Sequence, residues 1–247
     1  MLMFQVISGD RMSSQELATF ALNHLDYTLL DPEADEMAIL GFLQRAIDFP
    51  PAAVCVLPHV VAQAREMLDQ SILVASAAGC FPAPNGDINE RIKDISLAIQ
   101  GGADEIDIVM DFEAMMELRP GEARSTLQNL IDACDKKPVK VILETSCLDV
   151  QEIEDAARIA IECGAKFLKS STGRRGGCTP LVSEILADIA QKNGEVGVKI
   201  SGGIRTLEDL KMHVDAMSQF FDVTSIGPER FRIGASSLLD SIENSLM

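Results

Sequence analysis

Phe167-Leu168-Lys169-Ser170-Ser171-Thr172-Gly173 and Val198-Lys199-Ile200-Ser201-Gly202-Gly203 frame the stretch on which the fold turns. Each is a short apolar, β-rich run that carries one lysine and breaks into a Ser/Gly loop. Residues 180–192 between them repeat apolar positions at helical spacing. Strand, helix, strand in that order predicts a βα unit of a parallel sheet. The same alternation runs outward to both ends. Strands are predicted at residues 25–28, 53–57, 72–77, 105–110, 139–144, 166–170, 196–200 and 231–234, and helices at 32–48, 59–69, 88–100, 121–135, 150–163, 180–192, 207–217 and 235–246. Eight such units in 247 residues predict an α/β protein. The expected fold is a single (β/α)8 TIM barrel with an extra N-terminal helix, one domain over residues 1–247, because such barrels take about 250 residues.

Composition narrows the function. Apolar residues make up 47% and charged residues 24%, with no apolar run long enough to span a bilayer. The net charge of −17 repels nucleic-acid phosphates and anionic lipid, so neither nucleic acid nor membrane is an expected partner, and an anionic ligand needs a local basic pocket. Residues 1–8 are apolar but lack a basic leader and a cleavage site, which predicts packed structure and a cytoplasmic protein. The six cysteines form no C-x-x-C pair and no Cys/His cluster at zinc spacing. Buried free thiols are expected, with no metal site and no cofactor.

Barrel chemistry sits where strands end and βα loops begin. Polar residues at those positions are Asp26, Cys55, Asp107, Glu144, Lys169 with residues 170–173, Lys199 with 201–203, and 234–237. Lysine is almost never buried without a partner or a purpose. Two ammonium groups brought by adjacent strands into one barrel mouth each disfavour protonation of the other, which frees one amine to attack a carbonyl carbon. The alternative is that each lysine snorkels to a strand end and meets a carboxylate. Asp107 alternates with apolar residues and shares a face with Glu105 and Val109. It is read either as a proton shuttle beside the lysines or as a plain ion-pair partner.

The loops at 201–203 and 234–237 follow the last two strands, where this architecture commonly holds a phosphate on bare N–H groups. Taken singly, each is an ordinary turn or helix cap. Arg174, Arg175, Arg205, Arg230 and Arg232 add positive charge in the same half of the chain. Cys55 is read as a pocket-lining residue or a small buried one. His24, His59 and His213, and Met115 with Met116, are read as packing or surface residues.

These motifs resemble the 2-deoxyribose-5-phosphate aldolase family, class I, metal-independent aldolases on a TIM barrel. The likeness runs from Leu25-Asp26-Tyr27-Thr28-Leu29-Leu30 through Gly102-Ala103-Asp104-Glu105-Ile106-Asp107-Ile108-Val109 and Val139-Lys140-Val141-Ile142-Leu143-Glu144-Thr145 to Phe231-Arg232-Ile233-Gly234-Ala235-Ser236-Ser237. The resemblance implies that Lys169 forms a Schiff base, that Lys199 makes its amine more available, and that Asp107 serves a proton relay. It implies substrate contacts from Asp26, Thr28, Cys55, Thr172, Gly173, Arg174, Gly202, Gly203, Gly234, Ser236 and Ser237, the glycines and serines around a 5-phosphate. The implied reaction is reversible cleavage of 2-deoxy-D-ribose 5-phosphate to acetaldehyde and D-glyceraldehyde 3-phosphate, in deoxynucleoside catabolism. The implied partners are a phosphorylated sugar and a second copy of the chain. Two departures stand out: Arg174 occupies a position where the family commonly has lysine, and Ser245-Leu246-Met247 ends the sequence without the tyrosine-bearing tail of some relatives. The rival readings are another imine-forming aldolase and a catalytically silent sugar-phosphate binder.

Overall fold

A computed structural model describes residues 12–222 and 225–247. Residues 1–8, expected to pack, lie outside the described residues. Eight parallel strands close into a barrel: β1 Leu25–Leu29, β2 Ala53–Val56, β3 Leu73–Ala78, β4 Glu105–Val109, β5 Val139–Ile142, β6 Phe167–Lys169, β7 Gly197–Ser201 and β8 Phe231–Ala235. The strands run in sequence order, and β8 pairs with β1 through Asp26 opposite Gly234. The expected barrel is therefore present.

The helices are α1 Ser14–His24, α2 Glu36–Asp48, α3 Val61–Met67, α4 Ile88–Gln100, α5 Phe112–Met116, α6 Pro120–Asp132, α7 Val150–Glu162, α8 Pro180–Lys192, α9 Leu207–Met217 and α10 Leu238–Leu246. Helix α1 is the expected N-terminal addition. It packs across α9, α10 and β8. None of the described helices is long and apolar enough to cross a membrane.

Caps explain where the sequence reading overshot. Asp35, not Pro32, starts α2, because its side chain accepts the Ala38 N–H. Asp135 and Lys136 take positive φ, so α6 stops at Asp132 rather than 135. The 59–69 stretch divides into a 3-10 turn at Pro58–Val60 and α3, and α5 was not expected as a helix. Ala235 is still strand, so α10 begins at Leu238. Strand β5 ends at Ile142, two residues short of the expected end, as the chain bends at Glu144.

Outward-facing strand residues such as Leu168, Val198, Ile200 and Ile233 pack with helix residues in one core cluster. The barrel interior is different. Leu30, Cys55, Leu57, Ala75 and Ala77, with Phe81, make one apolar side, Val109, Phe112 and Ile142 continue it, and Asp26, Glu105, Asp107, Lys140, Lys169, Lys199 and Arg232 bring charge to the rest, with Lys140 and Arg232 over the Phe167 ring.

Candidate active site

Side chains at every second strand position point into the barrel, and the register decides which of them meet. Asp107 lies opposite Lys140, Lys169 opposite Lys199, and Lys199 opposite Arg232. Asp107 Oδ2 accepts from Lys169 Nζ at 2.8 Å and from Lys199 Nζ at 2.7 Å. The two amines that the sequence singled out thus share one carboxylate oxygen, which keeps them no farther apart than those two bonds laid end to end.

The cluster is larger than the sequence reading. Lys140 Nζ donates to Glu105 Oε2 at 2.6 Å and to Asp107 Oδ1 at 3.2 Å, and lies 3.4 Å from Asp26 Oδ2. Asp26 Oδ2 is also 2.5 Å from Lys199 Nζ. Arg232 donates to Asp26 Oδ1 at 2.6 Å, to Glu105 Oε1 at 3.2 Å and, through Nε, to the Pro228 carbonyl. Lys140 and the inward role of Arg232 were missed. The signal for Lys140 was on the page: Val139-Lys140-Val141 carries the same buried-lysine alternation as the other two lysine strands.

Burial would push Lys199 towards its neutral amine, but Asp107 and Asp26 outweigh it and hold the ammonium well above the ordinary lysine range. Lys140 behaves in the same way, raised by Asp107, Asp26 and Glu105 against burial. Burial also opposes the charge on Asp107 and Asp26. Lys140, Lys169 and Lys199 nevertheless keep Asp107 well below the usual carboxylate range, and Lys140, Lys199 and Arg232 do so for Asp26. Among the described residues, four cations therefore face three carboxylates. The surplus is one positive charge. Lys169 is the cation with a single carboxylate partner and the one that reaches open space.

That space is a cavity of about 380 Å³ at the C-terminal mouth. Lys169, Thr28, Thr172, Gly173, Arg174, Gly202, Gly203, Gly234, Ser236 and Ser237 line it, as expected. Asp26 and Cys55 do not: both are fully buried beneath it. Asp26 serves the charge cluster, and Cys55 Sγ rests 3.8 Å from Asp107 Oδ2, its thiol pushed up by burial. Thr28 Oγ1 donates to the Asp26 carbonyl. Ser171, Ser201 and Arg205, from stretches the sequence marked, also line the cavity, and so do Asp31 and Ile204, which were not singled out.

Of the five arginines expected to attract an anion, Arg174 and Arg205 stand at the cavity. Arg175 stacks over Phe112 at 5.2 Å, Arg230 donates to the Val196 carbonyl near the other end of the barrel, and Arg232 is buried inside it. The sequence could not separate them, since strand register decides which arginine faces in.

The two loops after β7 and β8 leave the backbone N–H groups of Gly202, Gly203, Ser236 and Ser237 without a hydrogen bond to any described residue. Together with the N-terminus of α10 they make a set of open donors of the kind that can cradle an anion. The loop after β6 closes against it. Cys178 N–H donates to the Ser201 and Gly202 carbonyls, and a Cβ added at Gly177 would sit 2.5 Å from the Gly202 oxygen. Only glycine allows that approach.

Glu144, two residues past β5, sits in the left-handed region, φ +55° and ψ +53°, a conformation that costs a side-chain-bearing residue about 1–3 kcal/mol. Its buried carboxylate accepts the Thr172 N–H at 3.1 Å and the Thr172 hydroxyl at 2.5 Å. The Thr172 hydroxyl is thereby bonded within the protein, at the wall of the cavity.

A family model described as DeoC/LacD family aldolase matches residues 28–243. Deoxyribose-phosphate aldolase 1 of Staphylococcus aureus (strain MRSA252) is 35% identical over 195 residues, covering 78% of this chain and 87% of that one. Deoxyribose-phosphate aldolase of Clostridium botulinum (strain Loch Maree / Type A3) is 34% identical over 197 residues, with 78% and 90% covered. The tetrameric deoxyribose phosphate aldolase of Aeropyrum pernix superimposes with a TM-score of 0.76 at 26% identity, over 95% of this chain and 93% of that one. With the family model matched over most of its length, the chain belongs to the DeoC/LacD family of aldolases.

Proposed function

We propose that this chain, working as one barrel domain over residues 1–247, is a class I aldolase that reversibly cleaves 2-deoxy-D-ribose 5-phosphate to acetaldehyde and D-glyceraldehyde 3-phosphate. The observation that carries this reading is the pair of lysines on one Asp107 oxygen, one of them open to a cavity whose far wall is an anion cradle.

The Lys169 amine attacks the aldehyde carbon of the open-chain sugar, and loss of water leaves an iminium. A base takes the proton of the 3-hydroxyl, and the C2–C3 bond breaks. Its electron pair moves into the iminium to give an enamine, while glyceraldehyde phosphate leaves. Protonation of the enamine at C2 and hydrolysis of the imine release acetaldehyde and restore the lysine. Asp107 and Lys199 relay the protons, directly or through water. Lys199, an ammonium in the resting site, favours the free amine of its neighbour. Gly202, Gly203, Ser236 and Ser237 hold the phosphate with Gly173, Gly234, Arg174 and Arg205 around it.

We also infer a cytoplasmic enzyme that pairs with a second copy through outer helices; exposed Met37, Leu40 and Ile47 on α2 support such a face. The decisive experiment is reduction with borohydride in the presence of acetaldehyde, followed by peptide mapping. An adduct on Lys169, lost in Lys169→Ala, is expected. An adduct on another lysine overturns the assignment.

A further inference from the structure

The mechanism above leaves one buried carboxyl group without a task. Glu144 is fully buried and makes no ion pair among the described residues. Both of its oxygens are spent on Thr172, whose hydroxyl in turn accepts the Arg174 N–H at 3.1 Å. Ser171 Oγ accepts the Gly173 N–H at 2.8 Å and donates to the Gly176 carbonyl at 3.0 Å. On either side of Glu144 the backbone is stitched to the catalytic strand: Leu143 N–H to the Lys169 carbonyl and Thr145 N–H to the Ser170 carbonyl, both at 2.9 Å.

We propose that Glu144 is a positioning residue that locks the loop after β6 into its shape as one wall of the anion cradle, and so sets the preference for phosphorylated over unphosphorylated sugars. The N–H groups of Thr172, Gly173 and Arg174 are all consumed inside the loop, so this wall contributes form and the Arg174 side chain rather than free backbone donors. Arg174 Nη2 crosses the mouth to the Leu30 carbonyl at 2.7 Å, and Gly177 abuts Gly202, one of the residues with an open N–H. A loop released from Glu144 therefore loosens both the arginine and the cradle. Lys169 is held by Asp107 of β4 inside the barrel rather than by any residue of this loop, and keeps its chemistry. A non-glycine residue in the left-handed region, where the surrounding structure must hold it, is a common mark of such a functional constraint.

The proposal rests on the aldolase reading, and one set of measurements separates the two. In Glu144→Gln, whose amide cannot accept from the Thr172 hydroxyl and the Thr172 N–H together, KM for deoxyribose 5-phosphate and the inhibition constant of inorganic phosphate rise roughly tenfold. That is the scale of losing one hydrogen bond to a charged acceptor. Turnover of unphosphorylated deoxyribose and the borohydride adduct on Lys169 stay at wild-type levels. Glu144→Gly, which adopts left-handed backbone freely, gives the same comparison if the glutamine variant does not fold. Equal losses on both sugars, or an unchanged inhibition constant for phosphate, overturn the proposal. Failure of the wild-type protein to form the Lys169 adduct overturns the parent reading instead.

Discussion

Replacing Lys199 with methionine keeps the length of the side chain and removes its charge. Lys199 Nζ lies 2.7 Å from the Asp107 oxygen that also holds Lys169 at 2.8 Å, and 2.5 Å from Asp26. Two unit charges about 5 Å apart interact by about 3 kcal/mol at an effective dielectric of 20, which corresponds to about two pH units. The sign follows from the neighbours. Without Lys199, Asp107 gives its whole charge to Lys169 and Lys140, and the repulsion that favours a free amine at Lys169 disappears. The acid limb of the kcat/KM profile for deoxyribose 5-phosphate cleavage therefore moves upward by about two pH units, and the rate near pH 7 falls about a hundredfold. Coupled assay of glyceraldehyde phosphate release from pH 5 to pH 10 measures both. Rate loss with an unmoved acid limb would refute the reasoning, because it would mean that the two lysines do not sense each other's charge.

Arg232→Met leaves Asp26 and Glu105 without their guanidinium inside the barrel. Breaking such a buried pair costs about 3–5 kcal/mol, so the melting temperature should drop by about 10 °C in calorimetry. Asp26 and Asp107 are held below the usual carboxylate range, so their stabilisation is complete above the unfolded value and is lost as pH falls. Thermal melts should decline from about pH 5 downward, and Asp107→Asn should flatten that decline. Ser237→Glu puts a carboxylate in the cradle. It should raise KM for deoxyribose 5-phosphate far more than for free deoxyribose, and equal losses would mean that the phosphate lies elsewhere.

Lys169, Lys199 and Asp107 were legible because a charge inside an apolar alternation is rare, and three such charges on β4, β6 and β7 point to one interior. Glu105 and Lys140 carried the same signal at full strength. What periodicity cannot give is which inward positions stay covered: Asp26 and Cys55 are both fully buried and neither lines the cavity. Arg232 went astray for a related reason, since an arginine beside a glycine loop looks alike whether it faces in or out until the register with Lys199 is known. Glu144 shows another limit. Its residue type forecasts a polar strand end, but its left-handed backbone and its hold on Thr172 arise from contacts between β5 and the loop after β6.

Arg232 meets Asp26 across 206 positions of chain, from the last strand to the first. A growing polypeptide that has emerged only as far as β5 already contains Asp26, Glu105, Asp107 and Lys140, with three acids and one base among these interior groups. Half a cylinder cannot be a resting place on the folding route, since it would hide acids whose partners have not yet been synthesised. Linking the segment before α1 to the end of α10 and opening the chain in an exposed helical turn should leave the product able to fold, whereas any fragment ending before β8 should stay dependent on its missing complement.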